Sequence, residues 1–315
     1  MPEQLTKSVI DTWREFLRLE SAGGLLLCVA AAMALVLANL PVADYYYGVL
    51  GLKLTVSIGD IGVSKPLLLW INDGLMAVFF LLVSLELKRE VLEGELSSAS
   101  QVVLPVLAAL GGLLAPALLY LYVNRDNPAG AGGWAIPTAT DIAFALAVLS
   151  LFGRRVPASL KVFLATIAIV DDLAAIIIIA VFYSADLSST ALAAAGFGVA
   201  VLFLLNRYGV RSLAAYLLTG SLIWFFVLKS GVHATLAGVA VAMFIPLEYR
   251  NDHSPARHLE HILHPWVAFG ILPLFAFANA GVSLSGLGSQ GVSGPVSLGI
   301  LAGLFVGKQA GVFLM

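Results

Sequence analysis

Residues 160–184 read LKVFLATIAIVDDLAAIIIIAVFYS, with Asp171 and Asp172 side by side in the middle. A helix needs about 20 apolar residues to cross a bilayer, and this stretch supplies them. One ionised carboxylate at mid-membrane costs about 2.5–3.5 kcal/mol on insertion scales. Two neighbours also repel each other, so the pair asks for a compensating role. The competing reading is a soluble core helix with a polar face. The functional reading is an ion or proton site.

The rest of the chain favours the membrane. The 315 residues are 60% hydrophobic and 11% charged, with a mean hydropathy of +0.97. Soluble domains are typically about 25% charged. The net charge of −2 gives no reason to expect nucleic acid. Cys28 is the single cysteine, which excludes an internal disulfide and a cysteine metal cluster. The expected organisation is one membrane transport domain over residues 1–315, all-α and polytopic.

From the start of the chain, Ile10, Trp13, Phe16 and Leu17 recur at helical spacing among charges, which predicts an amphipathic segment over residues 1–20. Ala22–Leu40 reads as the first span. A signal peptide is the competing reading, and the long acidic leader argues against it. Within residues 45–65, LKLTVSIGDIGVSKP alternates around Gly59–Asp60, which reads as a β-hairpin or as an irregular loop. Further spans are expected at 66–85, 102–123, 134–152, 159–182, 191–205, 211–228, 232–245, 265–280 and 297–313, making about ten. Several are short or contain Gly and Pro, which a membrane tolerates only where neighbours or cavity water satisfy the freed backbone groups.

Loop charges set orientation. The N-terminus and every second loop after it carry Lys7, Arg14, Arg18, Lys88, Arg89, Arg154, Arg155, Lys161, Arg207, Arg211, Arg250 and Arg257. The alternate loops carry Lys53, Lys65, Arg125 and Lys229. That bias predicts a cytoplasmic N-terminus and puts the hairpin outside.

Asp73, Asp141, Asp171, Asp172 and Lys308 lie within apolar spans. Asp73, in INDGLMAVFF, reads as a site residue or as an N-terminal helix cap. Asp141 follows Pro137, Thr138 and Thr140. Proline removes a backbone donor, and threonine hydroxyls can bond the freed carbonyls. This reads as a discontinuous helix around residues 134–152, a simple kink being the alternative. Half-helix ends carry partial charges that suit ions. Lys308 lies too deep to reach the interface easily, so pairing with a buried carboxylate, Asp171 first, is expected. Burial lowers a lysine pKa and raises an aspartate pKa, which suits proton coupling. His233 is either pH-responsive or a plain interfacial side chain. Glu86 and Glu90 beside Lys88 and Arg89 predict local ion pairs at a solvated helix end.

Together these segments resemble the NhaA family of sodium/proton antiporters along the whole chain. The resemblance is carried by NDGLMAVFFLLVSLELKRE, GWAIPTATDIAFAL, RVPASLKVFLATIAIVDDLAAIIIIAVFYS, LKSGVHATLAGV, LEHILHPWVAFGILPLFAFANAGV and GLFVGK. VDDLAAIIIIA with an upstream PTATD is its most specific part. The resemblance implies an inverted-repeat fold and a site at mid-membrane, for which this family is itself a standard example. It implies that Asp171 and Asp172 alternately hold sodium and protons, and that Asp141 and Thr140 line the helix break. It implies that Lys308 pairs near the site and that His233, Glu86 and Glu260 take part in pH response. Residues 52–65 are implied to join two protomers in a homodimer. No cofactor is implied: sodium or lithium and protons are cargo, and the chain sits in the inner (plasma) membrane.

Two departures stand out. Gln309 follows Lys308 where the family pattern has proline. The family's further C-terminal helices, including a second broken helix, have no counterpart after Lys308, and the expectation is that this chain is part of a longer one.

The implied activity is electrogenic exchange of sodium for protons by alternating access, regulated by pH. An intramembrane aspartyl protease would need two facing aspartates. Asp141 and Asp171 lack the Gly-x-Gly-Asp pattern of such enzymes, so no enzymatic activity is expected. A passive cation channel would favour a pore-loop pattern, which is not visible.

Overall fold

The computed structural model describes residues 21–59, 61–94, 99–139, 156–182, 187–247, 254–284 and 293–315. The expected amphipathic segment over residues 1–20 lies outside them, as do Thr140 and Asp141 and the side chain of Asp172.

Ten helices are described. They are α1 (Ser21–Leu37), α2 (Ala43–Gly51), α3 (Leu67–Glu93), α4 (Ala99–Val123), α5 (Ala158–Phe182), α6 (Ser189–Arg207), α7 (Leu213–Ser230), α8 (Leu236–Phe244), α9 (Pro255–Asn279) and α10 (Pro295–Leu314). A 3-10 helix covers Pro128–Thr138. Six stretches among the described residues, Val103–Val123 of α4 and the whole of α3, α6, α7, α9 and α10, are long and apolar enough to cross a membrane. The architecture is therefore that of a mostly helical, multi-pass membrane protein.

Strands β1 (Lys53–Ile58) and β2 (Ile61–Pro66) pair antiparallel, from Lys53 opposite Pro66 to Ile58 opposite Ile61. The alternation around Gly59–Asp60 thus forms a hairpin and not an irregular loop. Gly59 has φ +60, a conformation that glycine adopts without penalty. The hairpin is tied to its surroundings through Trp70, whose Nε1 donates to the Leu54 carbonyl at 3.1 Å.

Packing falls into two groups. In one, α4 meets α5, α10 and the 3-10 helix. In the other, α6 packs on α7, α3 on α8, and α1 on α9. Helices α3 and α5 touch between the groups. The largest buried cluster, with Leu85, Leu202, Tyr216, Ile223, Val241 and Ile245, belongs to the second group. In lipid, helices gain little from excluding one another's apolar side chains, so close backbone approach matters more. Gly311 of α10 meets Gly111 of α4 so closely that a Cβ on either would overlap the other's carbonyl oxygen. Gly238 of α8 approaches the Ala77 carbonyl of α3 in the same way.

Near α2, the hydroxyl of Tyr46 donates to the Phe277 carbonyl at 2.6 Å. Burial raises its pKa above that of an ordinary phenol, so the hydroxyl stays protonated and keeps donating.

Several sequence boundaries need correction. The apolar run 232–245 contains a helix of nine residues only, about half the length of a continuous helical crossing. Turn hydrogen bonds precede it, including Leu236 N–H to the His233 carbonyl at 3.2 Å. The span expected at 265–280 starts earlier, at Pro255, capped by the Ser254 hydroxyl, which accepts from Arg257 N–H. Three spans also hold a five-residue π-turn: Ile71–Leu75 in α3, Val267–Ile271 in α9 and Gly303–Gly307 in α10.

Candidate functional site

The polar centre is assembled from α5, α10 and the end of the 3-10 helix. That helix stops where Pro137 removes a backbone donor and Ala139 turns extended, at φ −72 and ψ 150. The Thr138 hydroxyl donates back to the Ala135 carbonyl at 2.7 Å, as expected for a threonine beside a helix break. The Thr138 carbonyl itself faces Lys308, whose Nζ donates to it at 2.5 Å. The same Nζ donates to Asp171 Oδ2 at 2.7 Å. The Asp171 side chain is 1% exposed and that of Lys308 14% exposed.

The glycines explain the depth of the lysine. The π-turn Gly303–Gly307 runs directly into Lys308, and π-turns within helices often mark functional sites. Its glycines pack against Pro116 and Pro137, where a Cβ would collide. Gly112 of α4 lets α10 come close beside the lysine, since a Cβ there would meet Val312 Cγ2 at 2.9 Å. One ammonium thus bridges a carboxylate on one span and the freed carbonyl of an interrupted segment. Asp172 follows Asp171 on α5.

A second charged group gathers at the far end of α3. Arg89 Nε donates to Glu260 Oε1 and its Nη1 reaches Glu90 Oε1, both at 3.1 Å. Arg257 pairs with Glu93. Glu86 lies within electrostatic reach of Glu260, Arg89 and Glu90, so the two glutamates named from the family resemblance do come together. His233 does not join them. It is exposed in the turn before α8, whose Gly238 touches Ala77 and whose other end lies at Lys88. The histidine therefore belongs near the opposite end of α3.

Three features escaped the sequence reading. Asp73 is not an N-terminal cap: it lies inside the π-turn of α3, and its carboxylate accepts from Lys65 at 2.9 Å. Its backbone carbonyl accepts from Trp224 Nε1 at 2.8 Å. Lys88 is more than a loop charge. Its Nζ donates to the Met243 carbonyl at 2.7 Å and the Ile245 carbonyl at 2.6 Å, closing the C-terminal end of α8 where a cation is favoured. Backbone carbonyls are common to every residue, so the sequence held no signal for that partner. No group of three or more metal-ligating His, Cys, Asp or Glu residues occurs among the described residues.

A buried carboxylate–ammonium pair among apolar spans, at the end of a 3-10 helix, points to the class of multi-pass membrane carriers. The comparisons with known proteins narrow it. A family model described as Na+/H+ antiporter 1 matches residues 14–315. The Na(+)/H(+) antiporter NhaA of Pseudomonas putida (strain GB-1) is 59% identical over 299 residues, covering 95% of this chain and 76% of that protein. The Na(+)/H(+) antiporter NhaA 1 of Syntrophotalea carbinolica is 59% identical over 305 residues, covering 96% and 77%. The Na(+)/H(+) antiporter NhaA of Campylobacter concisus is 57% identical over 302 residues, covering 95% and 74%. The chain belongs to the Na+/H+ antiporter 1 family.

Proposed function

We propose that the protein is a sodium/proton antiporter of the bacterial inner membrane and not an enzyme. The observation that carries the mechanism is the Lys308 ammonium held between Asp171 and the Thr138 carbonyl. In the absence of sodium the lysine neutralises Asp171. A sodium or lithium ion arriving at Asp171 and Asp172 competes with that ammonium and with protons, because like charges this close are not held together cheaply. Cation binding therefore releases protons, and proton return releases the cation. Thr140 and Asp141, which follow Ala139 in the sequence, are the further ligands in this reading. Alternating access carries the loaded site to the other face, and more protons than sodium ions move per cycle, so transport is electrogenic.

A carboxylate dyad sharing one proton, as an aspartyl protease needs, fits poorly with an aspartate engaged by an ammonium. A passive channel fits poorly with a site this closely packed. Supporting the same reading, Glu86 and Glu260 lie together with Arg89 and form the pH-responsive group, while His233 contributes from its exposed turn. About ten spans in an inverted repeat, a cytoplasmic N-terminus and a homodimer through residues 52–65 complete the proposal.

The test is sodium-driven proton movement in proteoliposomes. Asp172→Asn is expected to abolish the exchange while leaving the protein inserted and folded. Normal flux in that variant overturns the proposed site.

A further inference from the structure

A cavity of about 570 Å³ lies among α3, α7 and α8, with Leu274 of α9 at its edge. Trp70, Gly74, Val78, Ser221, Trp224 and Val241 form much of its wall. Its polar groups are already spent inside the protein. Trp70 Nε1 donates to the Leu54 carbonyl and Trp224 Nε1 to the Asp73 carbonyl. The Ser221 hydroxyl donates to the Leu217 carbonyl at 2.8 Å. Nothing in the wall invites water, an ion or a polar ligand.

Size and place then select the occupant. An apolar void of about 150 Å³ in a protein stays dry and takes up benzene. This cavity has room for several such units end to end, and its walls include three helices able to cross a bilayer. Two wall residues, Leu217 and Leu274, are 37% and 44% exposed, so the cavity is continuous with the lipid-facing surface. At its other end stand the two tryptophans, a residue type that collects at the membrane interface. The Lys65 ammonium, paired with Asp73 beside wall residue Gly74, lies at that end. It offers a cation at the level of a phosphate headgroup.

We propose that this cavity is an acyl-chain site holding one hydrocarbon tail of a membrane phospholipid, with the headgroup at the Trp70–Trp224 end. The site does not depend on the antiport reading, and a variant unable to exchange ions keeps its lipid.

Fluorescence tests this directly. The chain has five tryptophans, and Trp13→Phe, Trp134→Phe and Trp266→Phe together leave Trp70 and Trp224 as reporters. In bilayers of phosphatidylglycerol brominated at mid-chain, their emission is expected to be quenched. Gly74→Leu should relieve the quenching at least twofold by filling the cavity. The substitution has space, since a Cβ on Gly74 meets only the Trp224 ring, at 3.8 Å. Val78→Phe, one turn further along α3, is a second filling variant expected to act alike. A reporter retaining only Trp266, which is 71% exposed, measures quenching from bulk lipid. Unquenched Trp70 and Trp224 would mean that polypeptide fills the cavity, and the proposal fails. Quenching that neither filling variant relieves would mean that bromines reach the rings from outside, and the proposal also fails.

Discussion

At the scale of the residue, Lys308 and Asp171 set the energetics of the polar centre. Surface ion pairs contribute at most about 1 kcal/mol because water already solvates both partners. Lys65–Asp73, with side chains 31% and 22% exposed, belongs nearer that regime. Asp171 at 1% exposure does not. Taking one partner from a buried pair strands the other charge, which typically costs about 3–5 kcal/mol. Lys308→Ala is therefore expected to lower thermal stability by several degrees. Adding Asp171→Asn removes the stranded charge and should recover part of the loss. Thermal melts of the two single variants and the double variant check this. If the double variant is no more stable than the sum of the singles predicts, the two residues are not coupled, and the Thr138 carbonyl alone holds the lysine.

At the scale of the element, the hairpin is a separable part. Its strands pair with each other, and many of its outward side chains are exposed, including Leu54 at 46% and Val56 at 61%. This exposure is compatible with the proposed contact between two protomers. Deleting residues 54–64 is expected to yield monomers in detergent with exchange retained, and size-exclusion chromatography with light scattering reads the result. A dimer that survives the deletion puts the contact elsewhere. The hairpin was legible because its pattern has period two and its turn holds a glycine. The end of the helical segment at Thr138 was legible because proline and threonine announce it chemically, while the rest of the discontinuous helix expected to residue 152 lies outside the described residues. The π-turns were not. One extra residue in a turn leaves composition and apolar content unchanged, and the glycine in each of the three is too common in membrane helices to signal it. Of the two readings of Asp73, the cap fails for that reason: Asn72-Asp73-Gly74 looks like the start of a helix, whereas helical geometry has already begun at Leu67. The shortness of α8 was hidden too, because the turn at 231–235 holds no Asp, Glu, Lys or Arg and no proline to separate it from the apolar run.

At the scale of the whole molecule, the two packing groups and the loop charges together give a directional object. On the ten-span reading, twelve of the cations named above fall on the side of the N-terminus and four on the other, and such a bias is expected to hold the rich side in the cytoplasm. The structure supplies positions on each side at which to read it. Tyr208, 80% exposed, follows α6 beside Arg207 and Arg211, on the cation-rich side. Tyr45, 78% exposed, lies in α2 just before the hairpin, on the side expected to be poorer. Cys28 is the single cysteine, so Cys28→Ser leaves a clean background for Tyr208→Cys or Tyr45→Cys. A membrane-impermeant maleimide applied to intact, outer-membrane-permeabilised cells is expected to label position 45 and to spare position 208 until the inner membrane is opened. Five expected spans, 66–85, 102–123, 134–152, 159–182 and 191–205, lie between the two positions, so an odd number of crossings is expected to separate them. Labelling of both from the same side would mean an even number, so one stretch counted as a span does not cross. Labelling of position 208 alone would keep the odd number but invert the molecule. The Lys65–Asp73 end of α3 would then face the cytoplasm, and the Glu86–Glu260 group could not sense cytoplasmic pH.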